Sequence, residues 1–255
     1  MDFAVAEIDV NGQLETPAAL VELQSLRGIE KGVDVKTKSG GGLRFSSMRQ
    51  EGLRLGAQTG LAERYSMIME YIDKNESKAN VIFSFAGFVN DGNLLVPAIH
   101  QAQNQFKMDG DEARVVSNSY TIAEEAKIIS SVPTWRDWLA QEYERPEQPH
   151  YSLLPRTPSE VKVWEQATLE GYRAGVVQAD DIYSDRLNDL TRSVEGRHLY
   201  RVLEDKKMIK PSLLKVERNS VTYNGRTMNI GEVIYSVKSR ANYTSGENWK
   251  PIWSR

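Results

Sequence analysis

Hydrophobic and small residues recur every three or four positions from residue 157 onward: Val161, Trp164, Ala167, Gly171, Gly175, Ala179 and Ile182, continued by Tyr183, Leu187, Leu190 and Val194. That period predicts one long helix, and Thr157-Pro158-Ser159-Glu160 is its capping box, with proline at the first helical position. A second helix is predicted from Ser47 towards Lys74, where Met48, Leu55, Tyr65, Ile68, Met69 and Ile72 supply the apolar face. A shorter one follows Thr16 as N-cap and Pro17 as first helical residue, and stops at Gly28. Gly196 is expected to interrupt the long helix, after which residues 198–211 form one more helical segment stopped by Pro211.

Elsewhere the period shortens. Residues 213–240 alternate apolar and polar positions around Asn224-Gly225, a strong hairpin-turn signal. Residues 112–127 carry β-branched and aromatic side chains on both sides of Ser117-Asn118-Ser119, so a second hairpin is expected to turn there. Val81 to Val89 is an apolar run whose period does not separate helix from strand, and a short helix is the reading adopted. It ends at the turn Asn90-Asp91-Gly92. Residues 36–47, with three consecutive glycines, are expected to link a 1–45 extension to a domain spanning 46–255. The fold class that follows is α+β, mainly helical, with one long helix, a glycine-packed partner helix and small antiparallel β-hairpins.

Gly52, Gly56 and Gly60 lie four apart, nearly on one line of their helix. Each costs about 1 kcal/mol against alanine in a helix interior, so three in line imply that another backbone comes close. Gly171 and Gly175 make a similar groove on the long helix, and the two lines are expected to pack together. Arg49, Glu51, Arg54, Glu63 and Arg64 rule out a membrane-spanning reading of this glycine spacing.

Two of the five tryptophans, Trp135 and Trp138, stand three apart on a helix expected to start at Thr134, with Asp137 as the far arm of a capping box. After them comes a strap of residues 144–160 holding Pro146, Pro149, Pro155 and Pro158. The pair can anchor this strap or face a partner. Trp249 and Trp253, with Pro251 between them, sit in an extended tail and are candidates for a partner interface, with Trp135 and Trp138 next.

Charge and composition narrow the function. A net charge of −3 lacks the dense basic surface that direct nucleic-acid binding needs. The absence of cysteine removes disulfides, thiolate zinc sites and thiol catalysis. His100, His150 and His198 stand about 50 residues apart without metal-ligand spacing, and no phosphate-binding loop or nucleophile elbow occurs. A non-enzymatic role without cofactor is therefore expected, the alternative being a ligand-binding or hydrolytic protein with an aromatic pocket.

Four ordered segments, "IFSFAGFVNDGNLLVPAIHQAQNQ", "YTIAEEAKIISSVPTWRDWL", "LLPRTPSEVKVWEQATLEGYRAGVVQA" and "NWKPIW", resemble the DotC family over about Met48 to Trp253. Its members are outer-membrane lipoproteins of type IVB secretion systems and of I-type conjugative plasmid systems. The resemblance implies a structural part of the outer-membrane core complex, assembled in a ring with DotD-like and DotH-like partners and facing the periplasm. It also implies anchoring through a lipidated N-terminal cysteine; this sequence holds no cysteine, so either the precursor's N-terminus is removed or this member is not lipidated. No catalytic residue comes with it.

Overall fold

The computed structural model of the chain describes residues 17–28, 41–110 and 112–249. It is α+β, and the helices are α1 (Ala18–Ser25), α2 (Gly41–Lys74), α3 (Glu76–Ile82), α4 (Arg136–Leu139) and α5 (Pro158–Asp205). The strands are β1 (Val89–Asn90), β2 (Leu94–Leu95), β3 (Ala98–Asp109), β4 (Glu112–Glu124), β5 (Lys127–Ile128), β6 (Ile209–Lys210), β7 (Leu213–Tyr223), β8 (Met228–Ser239) and β9 (Asn242–Tyr243). The chain divides into two compact units: Met1–Lys78 with Leu139–Leu187, and Ala79–Trp138 with Asn188–Arg255.

In the first unit α2 packs on the first part of α5. Trp164, Met48, Leu55 and Leu23 form one buried cluster, and the Trp164 indole N–H donates to the Leu23 carbonyl at 3.0 Å. Leu20, Tyr172 and Val176 form another. The glycines of each helix lie on this seam: Gly56, Gly60, Gly171 and Gly175 face backbone of the other helix, and Gly52 faces its side chains. A Cβ at Gly56 would overlap the Thr168 carbonyl oxygen and stand 2.9 Å from the Tyr172 nitrogen. A Cβ at Gly60 would overlap the Tyr172 carbonyl oxygen, and one at Gly52 would lie 3.1 Å from the Ala167 Cβ. From the other side, Gly171 meets the Leu53 carbonyl and Gly175 meets Ala57 and Leu61. Tyr172 borders the seam and donates its hydroxyl to Glu63 Oε2 at 2.7 Å; burial first, then this carboxylate, push its pKa up and keep the phenol protonated.

The start of α5 fastens the proline strap. Thr157 and Glu160 make the reciprocal capping box, with Glu160 N donating to Thr157 Oγ1 at 3.3 Å and Thr157 N to Glu160 Oε2 at 3.2 Å. Glu160 also accepts from Arg156 N at 2.7 Å and from Arg44 Nε at 2.8 Å. Arg44 then donates to the Ser152 and Leu154 carbonyls, while Gly28 N donates to the Pro155 carbonyl at 3.0 Å. One buried carboxylate thus joins the helix cap, the strap and the first turns of α2.

The second unit is built on the last part of α5. A small sheet of order β1-β2-β5 lies in it, all pairs antiparallel, and β6 pairs with β9. Two separate two-stranded ribbons, β3-β4 and β7-β8, complete the strands.

Several expectations are corrected. Gly196 does not break α5, which runs unbroken through residue 205 and takes up part of the segment read as a separate helix. A Cβ there would stand 3.0 Å from the Ala98 Cβ and from the Ile99 backbone, so a side chain fits only if these neighbours give way. Ser117-Asn118-Ser119 lie in mid-strand, Ser119 opposite Ala102 and Asn118 opposite Gln103, and the chain reverses instead between Asp109 and Glu112 with Gly110 at φ +59°. Residues 41–47, read as linker, are already the first turns of α2, whereas 36–40 lie outside the described residues. Val81 and Ile82 end α3, one 3-10 turn occupies Ala86–Phe88, and Val89 is already strand. Pro17 is the N-cap of α1 rather than its first residue. The helix after Thr134 is a single turn, although Thr134 N does donate to Asp137 Oδ2 at 2.7 Å.

Candidate functional site

The two ribbons carry what the rest of the fold does not use. In β3-β4 the cross-strand pairs Phe106–Val115 and Met108–Ala113 share one face near the turn, because paired residues point the same way and alternate residues return to the same side. In β7-β8 the pairs Val221–Ile230 and Tyr223–Met228 do the same beside the Asn224-Gly225 turn. Phe106 is 63% exposed, Val115 71%, Tyr223 82% and Ile230 75%, so neither group is covered among the described residues. Each ribbon thus holds neighbouring apolar side chains in water on one face.

Both ribbons share a second feature. The ladder of β3-β4 omits the Asn104/Ser117 pair, where Asn104 has φ 50°, and that of β7-β8 omits Ser220/Gly231, where Gly231 has φ +74°. A left-handed residue in a strand bends and twists the ribbon locally, and asparagine and glycine are the residues that tolerate it. In each case the apolar group lies on the distal side of this irregularity. The proximal part of β7-β8 is used internally: a Cβ at Gly92 would meet Tyr235 Cδ1 at 3.1 Å and Leu214 Cδ1 at 3.2 Å.

Each turn is locally specified. Asn224 Oδ1 accepts from Thr227 N at 3.1 Å, and Gly225 takes φ +80°, as the Asn-Gly pair requires. Arg114 answers Glu112 at 3.4 Å beside the other turn. A two-stranded ribbon alone is marginal in water, and each long strand also leaves one backbone edge unpaired. These ribbons can therefore gain stability by receiving a neighbour's side chains or a neighbour's strand.

The tryptophans fall in other places. Trp135 is buried and its indole N–H donates to Asn80 Oδ1 at 2.8 Å, while Trp138 stacks on Phe85 with centroids 4.9 Å apart and planes 5° apart. They seat the 79–88 segment. Trp249 is about half exposed and donates to the Thr244 carbonyl at 3.1 Å; Trp253 lies outside the described residues. Gly52, Gly56, Gly60, Gly171 and Gly175 lie together on the α2–α5 seam of the first unit.

Among the described residues no group of three or more His, Cys, Asp or Glu could hold a metal ion. His150 accepts from Ser152 N at the start of a 3-10 turn, His198 meets the Phe88 ring edge-on at 4.7 Å, and His100 lies opposite Thr121 in β3-β4. Of these histidines only His100 borders a furrow of about 620 Å³, which Ile99, Ala102, Arg192, Glu195 and Leu199 also line. No helix among the described residues is long and apolar enough to cross a membrane. Sequence reading missed Phe106, Met108, Val115 and their counterparts. The Asp109-Gly110 pair was the available signal, and the reversal was placed at Ser117–Ser119 instead.

No curated protein matches the chain. A family model does, from residue 42 to residue 251, and it takes in both long helices and both ribbons. On that match the chain belongs to the T4SS_TraI family, type IV secretory system, conjugal DNA-protein transfer.

Proposed function

We propose that the chain is a structural subunit of the outer-membrane core complex of a type IVB secretion or conjugation system, of the DotC kind, without enzymatic activity. It would sit on the periplasmic face of the outer membrane among DotD-like and DotH-like subunits. The observation that carries this reading is the pair of ribbons whose distal apolar groups, Phe106 with Val115 and Tyr223 with Ile230, have no cover among the described residues. A protein that acts alone gains nothing from holding such groups in water, whereas an assembly subunit gains its contact area from them.

The test is a chain carrying Phe106→Ser, Val115→Thr, Tyr223→Ser and Ile230→Thr, expressed in place of the wild type in a conjugating host. Normal protein level and helicity with loss both of transfer and of co-purified core subunits is the expected result. Undiminished transfer would remove the ribbons from the function and return attention to the furrow beside β3, where the ligand-binding alternative would have to act.

A further inference from the structure

Each ribbon end carries one methionine in its outermost apolar pair, Met108 opposite Ala113 and Met228 opposite Tyr223. Both are 64% exposed, whereas Met48 and Met208 are 0% and 3% exposed. Met67, 46% exposed, lies on α2 and belongs to neither ribbon. The sequence holds no cysteine, so no thiol of this chain competes for an oxidant, and access to the thioether sulfur decides which side chain reacts. Among the described residues, the two most accessible methionines are therefore those that sit in the apolar groups left in water.

From this we propose that Met108 and Met228 are sulfoxidation sites, through which a peroxide turns the ribbon ends from apolar contact surfaces into polar ones. A sulfur lone pair attacks one peroxide oxygen and the O–O bond breaks. With hydrogen peroxide, the departing hydroxide takes the proton of the transferred hydroxyl and leaves as water, so sulfur loses two electrons and the peroxide gains them. The product is a sulfoxide, a polar group with an acceptor oxygen, and a partner surface that closes over it must strip water from that oxygen. Phe106 and Val115 on the face of Met108, and Val221 and Ile230 on the face of Met228, have no side-chain donor to replace that water. The change is reversible, because sulfoxide reductases return the thioether. This rests on reading the ribbons as assembly surfaces, and adds that oxidation of their methionines regulates them.

Limiting hydrogen peroxide on the purified full chain, followed by peptide mass analysis, should add oxygen to Met108 and Met228 first and to Met67 later. Met48 and Met208 should react only once urea unfolds the chain, and circular dichroism should be unchanged at the first stage. The oxidised chain, immobilised and freed of peroxide, should recover about tenfold less of the core subunits from an extract of a conjugating host than the untreated chain does. Methionine sulfoxide reductase should restore that recovery. A chain carrying Met108→Leu and Met228→Leu stays apolar at both ends and has no sulfur there, so peroxide should leave its recovery equal to its own untreated value. Met67→Leu should remain as sensitive to peroxide as the wild type.

Recovery that peroxide leaves undiminished overturns the inference, as does oxidation that spares Met108 and Met228. A loss that the reductase does not reverse, or an equal loss in the leucine double variant, overturns it as well. The assembly reading is tested apart from it by the chain carrying Phe106→Ser, Val115→Thr, Tyr223→Ser and Ile230→Thr. If that chain loses the core subunits while peroxide has no effect on the wild type, the assembly reading stands and regulation by oxidation alone falls. If it recovers them as fully as the wild type, both fall.

Discussion

Gly56 lies so close to Thr168 that a Cβ on the glycine would overlap the threonine carbonyl oxygen. The approach is backbone on backbone, so no side-chain rotation can relieve it. Gly56→Ala should therefore force α2 away from α5 and cost about 1–3 kcal/mol. Gly42→Ala, on the same helix with nothing within 4 Å, should leave stability equal or slightly higher. Urea denaturation of the two variants side by side checks this, and equal midpoints would refute the packing argument.

Some of this organisation can be read from short stretches because its cause is local. The Thr157–Glu160 box and the Asn224-Gly225 turn are complete within four residues, and the glycine lines announce a close approach through their cost alone. What the close approach meets is not local. Gly196 in isolation reads as a helix stop, and only Ala98 and Ile99 arriving from β3 explain a glycine that α5 passes straight through. Ser117 to Ser119 read as a turn because polar residues in mid-strand are unexpected; in a ribbon with both faces in water, no burial pattern marks the strand. The candidate site was hidden for the same reason. Its residues are defined by what fails to cover them, and a missing cover leaves no trace in hydrophobic period.

Glu160 makes a pH-dependent prediction. Burial alone would raise its pKa, but the hydrogen bonds from Arg44 and from the Arg156 and Thr157 backbone outweigh burial and hold it below the usual glutamate value. A depressed folded-state pKa means that the carboxylate contributes stability above its unfolded pKa, about 4.3, and that this is lost as pH falls through the lower folded value. Glu160→Gln should cost about 1–3 kcal/mol at neutral pH. The gap between variant and wild type should close only below the ordinary carboxylate range. Thermal melts across pH follow it, and a gap independent of pH down to strong acid would show that the charge is not what matters.

The last prediction concerns Arg197 and Glu124, the pair that ties the end of β4 to α5. Arg197 is 1% exposed and donates from Nη2 to Glu124 Oε2 at 2.7 Å, whereas the Glu124 side chain is 43% exposed. Arg197 also donates to the Ser193 carbonyl at 2.7 Å and lies 5.5 Å from the Phe85 ring centroid. The two halves of the pair are therefore unequal. Removing the arginine leaves a carboxylate that water can reach, so Arg197→Met should lose mainly packing and hydrogen bonds. Removing the carboxylate strands a buried guanidinium, which costs about 3–5 kcal/mol in such sites. Glu124→Leu should consequently be the more damaging single change, although Glu124 is the more exposed residue. Adding Arg197→Met to Glu124→Leu should then restore stability, because the stranded charge is gone. Chemical denaturation of the two single variants and the double variant closes this cycle. A double variant less stable than Glu124→Leu would mean that Arg197 holds α5 through Ser193 and Phe85, with the ion pair to β4 incidental.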